Sequence, residues 1–167
     1  MAEGILRSRA AAAGLDIRVL SAGIMQGGAP ATDHAIAVCA DRGIDISGHV
    51  SRRLDRKLIE GADLVIGMTR EHLREAVVAS PAAFSKTFTL RDLVRRINLD
   101  PNGSLAELHQ GRKIEDYIRP DKNDDVADPV GQPRPVYEET ALQLDSLLAR
   151  VVVWLPNLGP VHTQAAS

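Results

Sequence analysis

Few residues in this 167-residue chain are equipped for chemistry, and they are scattered. Cys39 is the only thiol. A phosphate-attacking thiolate needs an arginine close by in the same loop, often six residues on, and that position holds Asp45. Cys39 also falls on the apolar side of a predicted helix, where a thiol is inert, so it reads as a packing residue. Asp128 precedes Pro129 and follows Asp124-Asp125. The residue before a proline is held extended, which presents this carboxylate on a stiffened loop. A neighbouring acidic run favours its protonated form, as a general acid protonating a leaving oxygen requires. The plainer alternative is an Asp-Pro turn opener. Ser21 and His49 each stand near glycine after a predicted strand or turn, and alone each reads as a turn or core residue. The five histidines, His34, His49, His72, His109 and His162, lack metal-ligand spacing, and no glycine-rich motif fits a nucleotide. No cofactor and no metal are expected.

The elements that must position these residues alternate strand and helix, which calls for an α/β fold with a parallel sheet and helices on both faces. Residues 1–13 read as a helix of good formers stopped by Gly14, with no N-cap and no strand ahead of it. In open α/β sheets the ligand loop lies between such a strand and its helix, so the expected catalytic loop falls before residue 1. Ile17–Leu20 reads as a strand. Thr32 caps a helix over 33–42 with Ala35, Ile36, Cys39 and Ala40 on one face, and Ser51 caps another over about 52–60. Ala62–Met68, apolar throughout, reads as a fully buried parallel strand. Thr69 caps a helix over 70–79, Lys86–Leu90 forms a third strand, and residues 91–97 are helical or a turn. Residues 98–126 form a long polar loop. A final helix runs from about Pro135 to Leu155 with Val136, Ala141, Leu144, Leu147, Leu148, Val151 and Leu155 as its stripe. One domain over 1–156 and a loose tail over 157–167 are expected.

The balance of 20 Lys+Arg against 22 Asp+Glu gives a net charge of −2, which offers no general attraction to nucleic acid or anionic lipid. The longest apolar run, Val151–Leu155, is far short of the ~20 residues of a membrane span. A single cysteine excludes an internal disulfide and suits a reducing cytoplasm.

In order, these features resemble the low-molecular-weight protein tyrosine phosphatase family over roughly residues 1–155. Met1-Ala2-Glu3-Gly4 is similar to the helix start that follows the family's Cys-x5-Arg-Ser-Pro loop. Ser21-Ala22-Gly23 resembles its Ser-x-Gly. Gly43-Ile44 through His49-Val50-Ser51-Arg52 resembles its Gly-Ile-x-x-x-x-His-x-Ser/Ala-Arg stretch. Ala62–Thr69 resembles the strand that comes next. Asp128-Pro129 sits where the family keeps its general acid. The resemblance implies a protein phosphatase working through a phosphocysteine, with Asp128 as acid and then base. It makes Ser21 and His49 second-shell groups bracing the phosphate loop, and a phosphorylated protein the partner. It implies a three-layer sheet of order 2-1-3-4 with the first, central strand missing. The nucleophile and the phosphate-binding arginine are not among these residues, so the chain as given is expected to be inactive and to fold poorly alone, the simplest cause being a start assigned too late. Val130-Gly131 replace the aromatic residues that tyrosine-directed members carry after Asp-Pro. That leaves room for the bacterial branch acting on phosphoarginine. A thioredoxin-coupled arsenate reductase needs further cysteines. The rival classes are a non-catalytic binding or regulatory remnant and a receiver-like phosphoacceptor using Asp124 or Asp125, whose acids come too late in the chain for that fold.

Overall fold

A computed structural model describes residues 1–119, 121 and 123–158. In chain order its elements are α1 (Ala2–Ala12), α2 (Asp33–Ala40), α3 (Arg56–Gly61), β1 (Val65–Gly67), α4 (Arg70–Ala79), β2 (Thr87–Thr89), α5 (Leu90–Leu99), α6 (Leu105–His109) and α7 (Arg134–Trp154). Short 3-10 turns cover Pro81–Lys86, Ile114–Tyr117 and Leu155–Leu158. The chain forms two compact units, residues 1–54 with 126–152 and residues 55–125 with 153 onward. No helix among the described residues is long and apolar enough to cross a membrane.

In the first unit α1 ends as its composition predicts, with Gly14 at φ +70°. Its start has no side-chain cap. Thr32 caps α2 by accepting from the Ala35 N–H. The buried face of α2 is Ala35, Val38 and Cys39, and with Ile46, Tyr137 and Ala141 they make the core of this unit. Ala40, expected inside, is exposed, and Val38 takes its place. Along α7, Ala141, Leu144, Leu148 and Val151 are buried as the stripe requires.

Two local expectations fail in this unit. Ile17 and Val19 are half-buried and Arg18 and Leu20 exposed in strict alternation, yet residues 17–20 join no ladder among the described residues. Their period is that of a strand, but no backbone among the described residues pairs with them. Ser51 does not cap a helix. Its hydroxyl accepts from the Ala29 N–H at 3.0 Å. That tertiary bond holds 51–54 in a non-helical course, and the helix starts later.

In the second unit α3 begins at Arg56, capped by Asp55 through the Leu58 N–H. β1 and β2 pair in parallel, Val65 opposite Thr87 and Gly67 opposite Thr89. Thr69 and Thr89 cap α4 and α5 at the strand ends, so each strand runs straight into its helix. β1 is less enclosed than its apolar sequence implies. Val65 and Ile66 are half-buried, because β2 covers only one of its edges among the described residues.

Residues 98–126 are not an open loop. They contain α6, which carries a Ser104–Glu107 capping box, and the 3-10 turn at Ile114–Tyr117. Arginines organise the rest. Arg112 is buried, with its guanidinium 3.8 Å from the Phe88 ring centre and 4.7 Å from that of Phe84. It donates to the Tyr117 hydroxyl at 2.9 Å and to the Thr87 carbonyl at 2.6 Å. Tyr117 in turn donates to Asp92 at 2.7 Å. Of the tail, Asn157 and Leu158 close a 3-10 turn, and residues 159–167 lie outside the described residues.

Candidate functional site

The strongest convergence of sequence-predicted residues occurs in the first unit, at the start of α1. Glu3 lies in the first turn, where the helix dipole favours a carboxylate. Its Oε1 accepts from Arg7 Nη1, four residues on, at 3.2 Å. Its Oε2 faces the other way. It accepts the Ser21 hydroxyl and lies 3.7 Å from His49 Nδ1. The Glu3 side chain is 13% exposed and that of His49 is 32% exposed. Of two residues singled out separately, Ser21 is bonded to this oxygen and His49 stands beside it, beyond hydrogen-bond reach.

Backbone pairing explains how they reach it. The Gly23 N–H donates to the Arg52 carbonyl at 2.9 Å, and the Leu54 N–H to the Gly23 carbonyl at 2.7 Å. Further along, the Gly28 N–H donates to Ser51 O and the Ser51 N–H to Ala29 O, each at 2.8 Å. The segment after Ser21 is thus zipped to the segment after His49. Gly27 makes the zip possible. A Cβ there would stand 2.9 Å from the Ser51 carbonyl oxygen, too close for any other residue.

Asp128 is exposed. Its Oδ1 accepts from the Val130 N–H at 3.0 Å, and the Gln132 N–H donates to the Pro129 carbonyl at 2.9 Å. The turn continues through Gly131 at φ +79° into α7. The carboxylate is therefore held on a stiff Asx turn, as the Asp-Pro pair predicts. Among the described residues it shares no hydrogen bond or ion pair with Ser21 or His49.

The acidic run before Asp128 is bound by arginines of the second unit. Asp124 is 1% exposed and bound by Arg70 Nη2 at 2.6 Å and Arg95 Nη1 at 2.9 Å. Asp125 accepts from the Arg70 backbone N–H at 2.7 Å. Both carboxylates are committed within the second unit. Arg70 also donates to the carbonyls of Asp116 and Arg119, which closes this segment on the start of α4.

Cys39 is buried in the first unit's core, and burial pushes its thiol up from the ordinary range. It is a core side chain, as its helix face indicates. No group of three or more metal-ligating side chains occurs among the described residues, and His162 lies outside them.

Sequence reasoning missed Glu3. Its local signal, an acid in a helix's first turn, is common and points to capping rather than to a distant serine and histidine. It also missed the Arg112–Asp92–Tyr117 cluster, whose carboxylate stands 25 residues before the tyrosine that donates to it.

A family model for low molecular weight phosphotyrosine protein phosphatase matches residues 1–107, a span that includes Glu3, Ser21 and His49 and stops short of Asp128. A protein-arginine-phosphatase of Bacillus subtilis is 33% identical over 127 residues, covering 71% of this chain and 83% of that protein. The crystal structure of a YwlE mutant from Bacillus subtilis superposes with a TM-score of 0.72 at 29% identity, over 93% of this chain and 88% of the other. A low molecular weight protein tyrosine phosphatase from T. tengcongensis gives a TM-score of 0.70 at 32% identity, over 90% and 86%. With its α/β fold, its parallel strands and the paired Ser21 and His49 segments, this chain belongs to the low-molecular-weight phosphotyrosine protein phosphatase family.

Proposed function

We propose that this chain provides the acid and bracing half of a protein phosphatase that works through a phosphocysteine. The observation that carries this is the meeting of Ser21 and His49 on Glu3 at the start of α1, the helix end where the family holds its phosphate. In the reaction a thiolate attacks phosphorus and the bond to the leaving group breaks. Asp128, on its exposed turn, gives its proton to the leaving atom. The Asp128 carboxylate then takes a proton from the water that attacks phosphorus, releasing inorganic phosphate and the thiolate. Cys39 is not that thiolate, since it is sealed in the core. Residues 1–167 alone are accordingly catalytically silent.

The substrate is a phosphorylated protein. A phosphoarginine side chain is the reading favoured by Val130, which is 63% exposed where an aromatic would pack on a phenyl ring, and by the relative whose printed activity is on arginine.

The test is phosphate release from an aryl phosphate and from a phosphoarginine protein. Residues 1–167 are expected to give none. The same residues preceded by a Cys-x5-Arg-Ser-Pro segment are expected to turn over, with Asp128→Asn lowering kcat by about 10²–10⁴-fold. Turnover by residues 1–167 themselves, or full activity of the Asp128→Asn form, overturns the proposal. No turnover by the extended protein favours a binding module instead.

A further inference from the structure

We infer that Asn102-Gly103 is a self-modification site, where the Asn102 side chain loses its amide as ammonia through a cyclic imide and the altered backbone lets go of Trp154. Asparagine followed by glycine occurs once in the chain. Glycine has no side chain to keep its backbone nitrogen away from the preceding side-chain carbonyl. Asn102 is exposed. It lies in a turn closed by the Gly103 N–H, which donates to the Asp100 carbonyl at 3.2 Å, the long end of the hydrogen-bond range. A Cβ on Gly103 would stand 2.8 Å from the Asp100 carboxyl carbon. The turn is therefore packed around a glycine, and the reactive pair is part of its construction.

The step balances with water alone. The Gly103 nitrogen attacks Asn102 Cγ and gives up its proton. The bond from Cγ to Nδ2 breaks, and ammonia leaves with that proton. Water then opens the five-membered ring. Breaking the new bond to Cγ leaves an aspartyl side chain on a normal backbone. Breaking the original peptide bond instead routes the chain through Cβ, an isoaspartyl link one carbon longer.

This turn has no slack for an added carbon. The Pro101 carbonyl accepts from Asn157 Nδ2 at 3.1 Å, and the Gly103 carbonyl accepts from the Trp154 indole N–H at 2.7 Å. Ser104, the next residue, caps α6 in a box with Glu107. The modified link falls between the two anchored carbonyls. Lengthening it draws the Gly103 carbonyl away from an indole that is 1% exposed, and that N–H loses its partner. None of this depends on the phosphatase reading.

The test ages the full chain in native buffer at mildly alkaline pH. Peptide mass spectrometry reads conversion of amide to acid at each asparagine, and NMR follows the indole N–H of Trp154. Position 102 is expected to convert ahead of Asn98, which is also exposed but precedes a leucine, and ahead of Asn123 and Asn157. The rate is expected to rise with pH, because attack needs the Gly103 nitrogen without its proton. The indole signal is expected to shift, and to exchange faster with deuterium, in step with the isoaspartyl fraction. Asn102→Ala is expected to keep the native indole signal through the same incubation. Conversion at 102 no faster than at Asn98 overturns the inference. So does an isoaspartyl chain with a native Trp154 signal, or an Asn102→Ala chain whose signal drifts equally.

Discussion

The Arg112 guanidinium lies 3.8 Å over the Phe88 ring, and its side chain is wholly enclosed. A buried cation is tolerated only with partners on all its donors. Arg112 has them in Tyr117, Thr87 and Phe84, with Asp92 at 3.5 Å. Burial pulls its guanidinium down from the ordinary value, and the Tyr117 contact opposes that. Arg112→Met leaves Asp92 enclosed with its charge less compensated and is expected to cost about 3–5 kcal/mol. Tyr117→Phe removes one bond from each neighbour and is expected to cost about 1–3 kcal/mol. Urea denaturation measures both, and a neutral Arg112→Met shows that the cluster is not holding this unit.

His109 makes the same unit sensitive to acid. Burial lowers its imidazole below 6.5, and Arg112 and Arg96 push the same way. Arg112 Nη1 donates to His109 Nδ1 at 3.3 Å, and the Phe84 ring stands edge-on at 5.2 Å, so the fold favours the neutral ring. The unfolded chain then binds more protons between the two pKa values. Stability from this group is complete above pH 6.5. It is lost as the pH falls through the lower value His109 takes in the fold. Thermal melts across that window are expected to fall with pH, and His109→Gln is expected to flatten the trend. An unchanged slope in His109→Gln places the acid sensitivity elsewhere.

Gly4 sets helix propensity against packing. An alanine there gains about 1 kcal/mol of helix preference. Its Cβ would stand 2.7 Å from Ile46 Cγ2 and 3.1 Å from Ile44 Cγ2. The Ile46 methyl is branched at Cβ and cannot move without turning χ1, and overpacking of this kind costs about 1–3 kcal/mol. Packing is the larger effect, so Gly4→Ala is expected to lower the urea midpoint at constant m-value. A raised midpoint shows that Ile46 yields freely.

Cys39 is expected to resist thiol reagents in the folded chain and to react at once in denaturant, because its thiol is enclosed and its pKa is raised. Labelling at the rate of a free thiol in native buffer contradicts its place in the core.

What could be read from the sequence was what local chemistry decides. Thr32 and Thr69 fix the starts of α2 and α4, and the apolar period of α7 gives its buried side. What could not be read was settled by distant partners. Ser51 looks like a cap until Ala29 arrives to take its hydroxyl. Residues 98–126 look like open loop because the ties that order them reach outside the segment, Arg70 and Arg95 to Asp124 and Arg112 to the Phe88 ring, and such pairs leave no period. Asp128, Ser21 and His49 were singled out by resemblance to the family's motifs. The carboxylate beside Ser21 and His49 was not, because nothing near Glu3 in sequence announces it.

Trp154 is the chain's only tryptophan. It is 1% exposed, and its indole N–H donates to the Gly103 carbonyl at 2.7 Å. Its fluorescence therefore reports the unit built on residues 55–125. A melt followed by that emission reads the loss of the Gly103 contact at the end of α7. Run beside Cys39 accessibility, it compares opening at the Gly103–Trp154 contact with opening of the α2 core in a single sample.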